Sequence, residues 1–376
     1  MNKEKIIKAE AIRLGFSLIG ITSLDPSPHA SVYQDWIKQG KHASMSYLAS
    51  PRGLQSRLDP HMVFSPARSI IMLAAAYPAP LNSERRSLRP GIAAYAVGRD
   101  YHLDLPEKLR QLAHFIQSNI DPHLQYVVYT DTGPVLERDL AQRAGLGWIG
   151  KNTCLIHPKM GSYFFIAEIF VSTHLEPDPA FAGDLCGNCR RCVDACPTGC
   201  ISEDRTLDSA SCISYLTIEN RADMPLELRQ KMGGWVFGCD ICQQVCPWNE
   251  KAGEKPRSTP LFNVLPAIND LNASDILGLS PQEFNLAFKN TPIQRAKRSG
   301  LLRNAVVATG NLRSKDALPQ LIDLLLHEQE ALVRAHAAWA IGQFHSSDAI
   351  HALKTASRTE IDPAVLTEIE EALKQF

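Results

Sequence analysis

A cysteine-rich stretch from Cys186 to Pro247 dictates most of what this chain can become. It opens with Cys186-Gly-Asn-Cys189-Arg-Arg-Cys192-Val-Asp-Ala-Cys196-Pro197 and closes with Cys239-Asp-Ile-Cys242-Gln-Gln-Val-Cys246-Pro247. The first half has the C-x2-C-x2-C-x3-C-P spacing, in which three thiolates bind one iron–sulfur cubane and the fourth reaches a second. Two intervening residues let the backbone wrap a cluster so that successive sulfurs meet separate irons, and the proline then turns the chain away. Two clusters are the expectation. Paired C-x2-C units would also suit tetrahedral zinc, but a crossed run ending in Cys-Pro and appearing nearly twice argues against it. A disulfide framework is disfavoured further.

The second half is incomplete. A full copy would begin with cysteine at 236, where Val236 stands. If Cys186, Cys189 and Cys192 take Cys246 as fourth ligand, the other cluster has Cys196, Cys239 and Cys242 and lacks one. Cys200, four residues past Cys196 in a Pro-Thr-Gly turn, is expected to point away. Cys212 lies in a separate loop and can approach freely, so it is assigned as the missing ligand. Cys154 and Cys200 are then small apolar residues.

A chain of 376 residues can bury a large core in two or three domains. With 45 % hydrophobic and 21 % charged residues and a net charge of -1, no global field advertises a nucleic-acid partner. The charges at Lys3, Glu4, Lys5, Lys8 and Glu10 are unlike a signal peptide, and the longest apolar run, Ile70 to Tyr77, is too short to span a bilayer. Ten cysteines without an export signal point to a reducing compartment, and the expected location is cytoplasmic.

Residues 2–14 read as an amphipathic helix and Phe16 to Ile21 as a short strand. Ser69 to Tyr77 has the continuity of a strand buried on both faces. A helix over Leu105 to Ile120, a strand over Gln125 to Thr130, a helix opening at Pro134 and ending by Gly145, and a strand over Ser162 to Thr173 follow. Strands interspersed with helices imply an α/β or α+β domain over residues 1–175.

Three polar segments of that domain look too specific for scaffolding alone: Tyr95 to His102, Tyr129 to Pro134, and Gly145 to Thr153. Each lies near an expected element end, where sites are usually built. Each residue also has a plain reading: Asp131 as a helix starter, His102 as a satisfied surface histidine, Trp148 as core.

Beyond about Ala252 a weak repeat appears in Leu302 to Leu312, Val333 to Phe344 and Val365 to Phe376, with steps of 31 and 32 residues. Small residues inside amphipathic helices at that period suggest stacked helix pairs of the HEAT type. Between Asn285 and Lys315 the chain carries Lys289, Arg295, Lys297, Arg298, Arg303, Arg313 and Lys315 and no acid. Such a basic stripe suits phosphates, the alternative being a solvated helix face. Beside a redox module, it suggests a substrate attached to nucleic acid.

In combination, Tyr95 to His102, Asp131-Thr-Gly-Pro134, Gly147-Trp-Ile-Gly-Lys-Asn152, the two cysteine half-motifs, Cys212 to Glu219 and the helical repeats resemble the epoxyqueuosine reductases, relatives of reductive dehalogenases. The resemblance covers essentially the whole chain. It implies reduction of the epoxide of epoxyqueuosine at the tRNA wobble position, with loss of water, as the last step of queuosine synthesis. It also implies cobalamin, as base-off cob(II)alamin, besides two 4Fe–4S clusters. No Asp-x-His-x-x-Gly motif is present, because Asp100-Tyr-His102 continues as Leu-Asp-Leu105. That departure fits a family that binds the corrinoid without a histidine below cobalt.

By motif position the resemblance puts Arg57, Val97, Asp131 and Asn152 at the corrinoid, with Tyr95, Arg99, Trp148 and Lys151 beside them, and makes Asp131 the candidate acid. It assigns Cys186, Cys189, Cys192 and Cys246 to one cluster and Cys196, Cys212, Cys239 and Cys242 to the other. Lys289, Arg295, Lys297, Arg298 and Arg303 are the expected tRNA contacts. The whole is an expected α+β multidomain protein: an α/β-type cobalamin-binding catalytic domain (1–175), a ferredoxin-like two-cluster domain (176–255) and a HEAT-like, tRNA-binding helical domain (256–376). Its expected partners are tRNA carrying epoxyqueuosine in the anticodon loop and an external electron donor such as a flavodoxin or ferredoxin. It is expected to be a monomer without a membrane association. The rival readings are a plain electron-transfer protein and a dehalogenase-like corrinoid reductase of small molecules.

Overall fold

The computed structural model describes residues 2–78, 91–252, 261–269, 271 and 273–376; the expected boundary at 255–256 lies outside them. Two compact units interleave along the chain. The first comprises Met1–Pro80, Gly98–Ala210 and Asp240–Asn263; the second comprises Leu81–Val97, Ser211–Cys239 and Val264–Phe376.

The first unit is built on a four-stranded sheet in the order Leu18–Thr22, Ser69–Ala76, Phe164–Val171, Tyr126–Tyr129, every neighbouring pair antiparallel. This is an α+β layer rather than a set of crossover units. The strand Ser69–Ala76 is buried at every position because both sheet faces are covered. On one face, Ile70, Met72, Ala74, Phe164 and Phe170 pack with Leu140 and Ala141 of the helix Glu137–Arg143. On the other, Tyr101 of the helix Tyr101–Asn119 stacks on Phe165, and the helix Lys3–Arg13 packs against both the first strand and that helix. Covering both faces makes an antiparallel strand as uniformly apolar as a parallel one. Gly20 is required here: a Cβ on it would fall 2.0 Å from the Ala144 carbonyl oxygen.

The expected helix at Pro134 begins at Glu137 instead, and the helix expected from Leu105 begins at Tyr101, capped by the Asp100 side chain. The helix Ala30–Lys38 has no counterpart in the sequence reading, although Tyr33, Trp36 and Ile37 form a half-buried stripe at helical spacing.

The second unit stacks the helices Lys297–Leu312, Ala331–Gly342 and Pro363–Leu373 one upon the next, with Leu318–His327 and Ser347–Ala356 beside them. The repeat works through small residues. A Cβ on Gly310 would meet Ala340 at 2.9 Å, and one on Gly342 would meet Ala372 at 3.0 Å. Helices pack this closely only where neither presents bulk, so the repeat preserves a Gly–Ala pairing. The segment Ser211–Cys239 belongs to this unit, its strand Trp235–Phe237 pairing in parallel with Gly91–Ile92. Among the described residues no helix is long and apolar enough to cross a membrane.

Candidate functional site

In the first unit, Cys186, Cys189, Cys192 and Cys246 line one cavity of about 390 Å³ including its open mouth. Lys151, Asn152, Ile156 and Trp248 complete its wall. Two short helices, Arg191–Asp194 and Ile241–Gln244, bring the distant cysteines together by packing on each other. Among the described residues no three His, Cys, Asp or Glu side chains are grouped to hold a single metal ion. Four thiols ringing a shared space are instead arranged for a cluster whose irons each take one sulfur. Burial pushes the Cys192 thiol up to about 11, with Cys186 adding to it, and burial also raises Cys246. Thiolates at this depth would require positive charge at the centre of the cavity, which the iron of a cluster would provide.

Trp148 is engaged with the cysteine segment. Its ring is enclosed, stacked on Phe181 at 5.7 Å and edge-on to Trp248 at 5.2 Å, and its indole N–H donates to Cys186 Sγ at 3.4 Å. Its single polar atom is committed to Cys186, and the ring packs with Ile156 and Cys246. Lys151 and Asn152 line the same cavity, and Asn152 Nδ2 donates to the Cys242 carbonyl at 3.5 Å.

Cys196 and Cys242 also belong to the first unit. The Cys200 sulfur lies 3.5 Å from Cys196 Sγ, brought there by the Pro197-Thr198-Gly199 turn, which closes back on itself. Together with the Thr198 hydroxyl at 3.5 Å, this neighbour pulls the Cys196 thiol down to about 4.

Cys212 and Cys239 belong to the second unit. Cys212 caps the helix Ile213–Ile218, and Cys239 follows Gly238, whose N–H donates to Thr217 Oγ1 at 2.9 Å. Val236, the residue in place of a fourth cysteine, is wholly buried in the strand Trp235–Phe237. Arg303 and Asn304 hold these segments from the helix Lys297–Leu312. Arg303 donates to the carbonyls of Leu216, Asn220 and Ala222 at 2.6–3.0 Å, and Asn304 to those of Thr217 and Val236 at 2.8 and 2.9 Å. Arg303 is 0 % exposed, so it is withdrawn from the phosphate-facing stripe: a guanidinium spent on interior carbonyls meets no solvent. Of the rest, Lys289, Arg295, Lys297 and Arg313 are exposed, Arg295 pairing with Glu219 at 2.5 Å. Arg298 is half-buried against Glu328 at 2.7 Å, and the Lys315 side chain is outside the described set.

Asp131 follows the strand Tyr126–Tyr129 with φ of 57° and presents its side chain 59 % exposed. Three groups hold it. The Tyr101 hydroxyl donates to Oδ2 at 2.7 Å, its ring fixed by stacking on Phe165 at 4.2 Å. His102 Nε2 is 3.9 Å from the same oxygen, and His102 Nδ1 is 2.7 Å from Asp100 Oδ1. The Asp131 N–H donates to Glu137 Oε1 at 2.7 Å. The sequence reading missed Tyr101 and Glu137 as partners of Asp131. The signal for Tyr101 was its place inside the Tyr95 to His102 segment.

Arg99 is exposed and pairs with Asp104 at 3.1 Å, whereas Arg57 is buried and donates to the Gly53 carbonyl at 3.1 Å. Tyr95 and Val97 lie in the second unit, Tyr95 6.2 Å from the Phe237 ring and the Val97 carbonyl accepting from Leu265 N–H.

Residues 57–132 match the family described as Epoxyqueuosine reductase QueG, DUF1730; residues 185–249 match the 4Fe-4S double cluster binding domain, and residues 294–374 HEAT repeats. The chain is 37 % identical to an epoxyqueuosine reductase of Pseudomonas aeruginosa, covering 89 % of this chain and 92 % of that one. It is 39 % identical to one of Cellulophaga algicola, covering 80 % and 97 %. Among solved structures, an epoxyqueuosine reductase with a tRNA-Tyr epoxyqueuosine-modified stem loop aligns at a TM-score of 0.89 and 31 % identity, over 99 % of this chain and 98 % of that one. From motifs, geometry and likeness together, this chain belongs to the epoxyqueuosine reductase family.

Proposed function

We propose that the protein reduces the epoxide of epoxyqueuosine at the wobble position of a tRNA to the alkene of queuosine. The balance is two electrons and two protons in, one water out. The observation that carries this reading is the likeness, over nearly the whole chain, to the reductase solved with the modified stem loop. Residues 1–175 form the catalytic part, 176–255 the two-cluster part and 256–376 the tRNA-binding part.

Cys186, Cys189, Cys192 and Cys246 hold one 4Fe–4S cluster, supported by the shared cavity. Cys196, Cys212, Cys239 and Cys242 hold the other. A base-off corrinoid would supply its cobalt without a histidine from this chain, and His102 is engaged by Asp100 through Nδ1. Arg57, Tyr95, Val97, Arg99, Asp131, Trp148, Lys151 and Asn152 are the residues that would hold it. When bound, the clusters supply electrons singly and the corrinoid the low-valent cobalt that collects them.

The chain's own part is the proton. Asp131 presents an exposed carboxyl whose Oδ2 is occupied by the Tyr101 hydroxyl, leaving Oδ1 to carry a proton to the departing oxygen. The exposed cations Lys289, Arg295 and Lys297, with Arg298 behind them, position the tRNA by its phosphates, leaving base identity to the site. A flavodoxin or ferredoxin feeds the clusters, and the enzyme works as a cytoplasmic monomer.

The test is anaerobic purification from corrinoid-supplied cells, counting metals and then assaying a stem loop carrying epoxyqueuosine under chemical reduction. About eight irons and one cobalt per chain, with a product lighter by one oxygen, are expected. Full metal content with no change in the stem loop, but turnover of halogenated phenols, would overturn the reading in favour of a small-molecule reductase.

A further inference from the structure

One acidic pair, Glu168 buried and Glu137 half-buried, has no part in the scheme above. Glu168 lies in the strand Phe164–Val171, opposite Met72 on one side and Tyr129 on the other. It is 0 % exposed, and neither carboxyl oxygen has a hydrogen-bond donor among the described residues. Met72, Leu140, Ala141 and Phe170 make this side of the sheet apolar. The polar group that meets Glu168 is the Glu137 carboxyl, from the first turn of the helix Glu137–Arg143.

A buried carboxylate without a donor is costly, and a facing carboxyl with one proton between the two supplies the missing hydrogen bond. The electrostatics agree. Burial, then Asp131, raise Glu137 to about 8 against the opposing effects of Arg138 and the Asp131 N–H. Burial, then Glu137 and Asp131, raise Glu168 well above the carboxylate range.

Glu137 has a second engagement, accepting the Asp131 N–H at 2.7 Å. Asp131 holds a left-handed φ of 57°, which costs a non-glycine residue about 1 kcal/mol or more and persists only where its surroundings impose it. A carboxylate on the amide is such an imposition.

We propose that Glu137 is a positioning residue for the reaction: sharing one proton with Glu168, it clamps the Asp131 backbone in its left-handed turn and so aims the acid. This rests on Asp131 being the acid. The pair is a proton-dependent latch. While one proton is shared, Glu137 stays on the Asp131 amide. When that proton leaves, two anions face each other, Asp131 adds a third, and Arg138 is the cation that opposes them. Glu137 is driven off and the turn is released. The latch is therefore closed for as long as Glu168 keeps its proton and opens on the alkaline side, where Glu168 ionises.

The test compares wild type with Glu137→Gln, Glu137→Ala and Glu168→Gln by peptide-resolved hydrogen exchange across residues 129–137, corrected for the intrinsic pH dependence, alongside pH–rate profiles. Exchange needs neither substrate nor cofactor. Wild type should lose protection on the alkaline side, as Glu168 ionises. Glu137→Gln keeps an acceptor for the amide and gives Glu168 a permanent donor, so its protection should persist to higher pH and its alkaline rate limb should move up. Glu137→Ala should be unprotected at every pH and lose about tenfold in kcat with KM nearly unchanged. If Glu137→Ala does not fold, Glu168→Gln decides, with the same upward displacement expected. Wild-type protection that is flat with pH, or a Gln variant indistinguishable from wild type in both readouts, overturns the latch. An Asp131→Asn variant with full turnover would instead remove the acid assignment, leaving the exchange result to stand by itself.

Discussion

The indole N–H of Trp148 donates to the sulfur of Cys186 across 3.4 Å. A hydrogen bond to a ligand sulfur favours the more negative, reduced state of a cluster. Trp148→Phe preserves the ring between Phe181 and Trp248 but removes the donor, so the potential of the cluster held by Cys186 should fall while that of the other stays. A redox titration followed by electron paramagnetic resonance checks this, and two unchanged potentials would dismiss the role.

Asp131 and Tyr101 should separate in magnitude. Asp131→Asn, which cannot give up a proton, should lose about 100-fold or more in kcat, and Tyr101→Phe about tenfold, with iron and cobalt contents as in wild type. Single-turnover assays on the modified stem loop decide it. A fully active Asp131→Asn variant would transfer the acid role elsewhere.

Arg303 is a buried cation serving three carbonyls, and burial holds its guanidinium down to about 10, still protonated near neutrality. Arg303→Met should cost about 3 kcal/mol or more and loosen the segments that carry Cys212 and Cys239. Iron content should then drop from about eight towards about four, with the cluster of Cys186 retained. Asn304→Ala should act the same way more mildly. Eight irons in both variants would show that the repeat helix does not hold the ligands.

For the basic face, reversal of Lys289, Arg295 and Lys297 to glutamate should weaken stem-loop binding. The slope of log K against log salt should fall by about 0.7 to 0.9 for each phosphate that is no longer neutralised. The cluster spectra should not change. Filter binding at several salt concentrations reads the slope, and an unchanged slope would relocate the tRNA.

His336 should make the second unit acid-sensitive. It is fully buried; its Nδ1–H donates to the Leu332 carbonyl at 2.7 Å and its Nε2 accepts the Met224 N–H at 3.3 Å, with Asp223 Oδ1 3.2 Å away. Burial, with Arg229 next, lowers it to about 3. Between about 6.5 and 3 the unfolded chain binds a proton that the native chain does not. Stability is therefore lost as pH falls through that window, by at most about 1.4 kcal/mol per pH unit. Urea titrations at pH 7 and 5 should show a slope that His336→Gln reduces.

The sequence by itself determined the cysteine framework, because cluster ligation demands fixed spacings that survive without knowledge of the fold. It also determined the strand Ser69–Ala76 and the period of the C-terminal helices, since burial and close helix packing leave local signatures in apolar runs and in Gly310 and Gly342. Only the tertiary structure decided which polar residues face each other. Arg303 read as one more cation of a basic stripe until its three carbonyl partners, more than 80 residues away in sequence, came into view. That the N–H of Trp148 would meet Cys186, 38 residues on, was equally hidden. Glu168 was visible as a lone acid within Phe164–Val171, but nothing local could say that its neighbour would be a second acid, Glu137. Spacing records what one segment must do for itself; the partner of a buried polar group is chosen by chain crossings that no local pattern encodes.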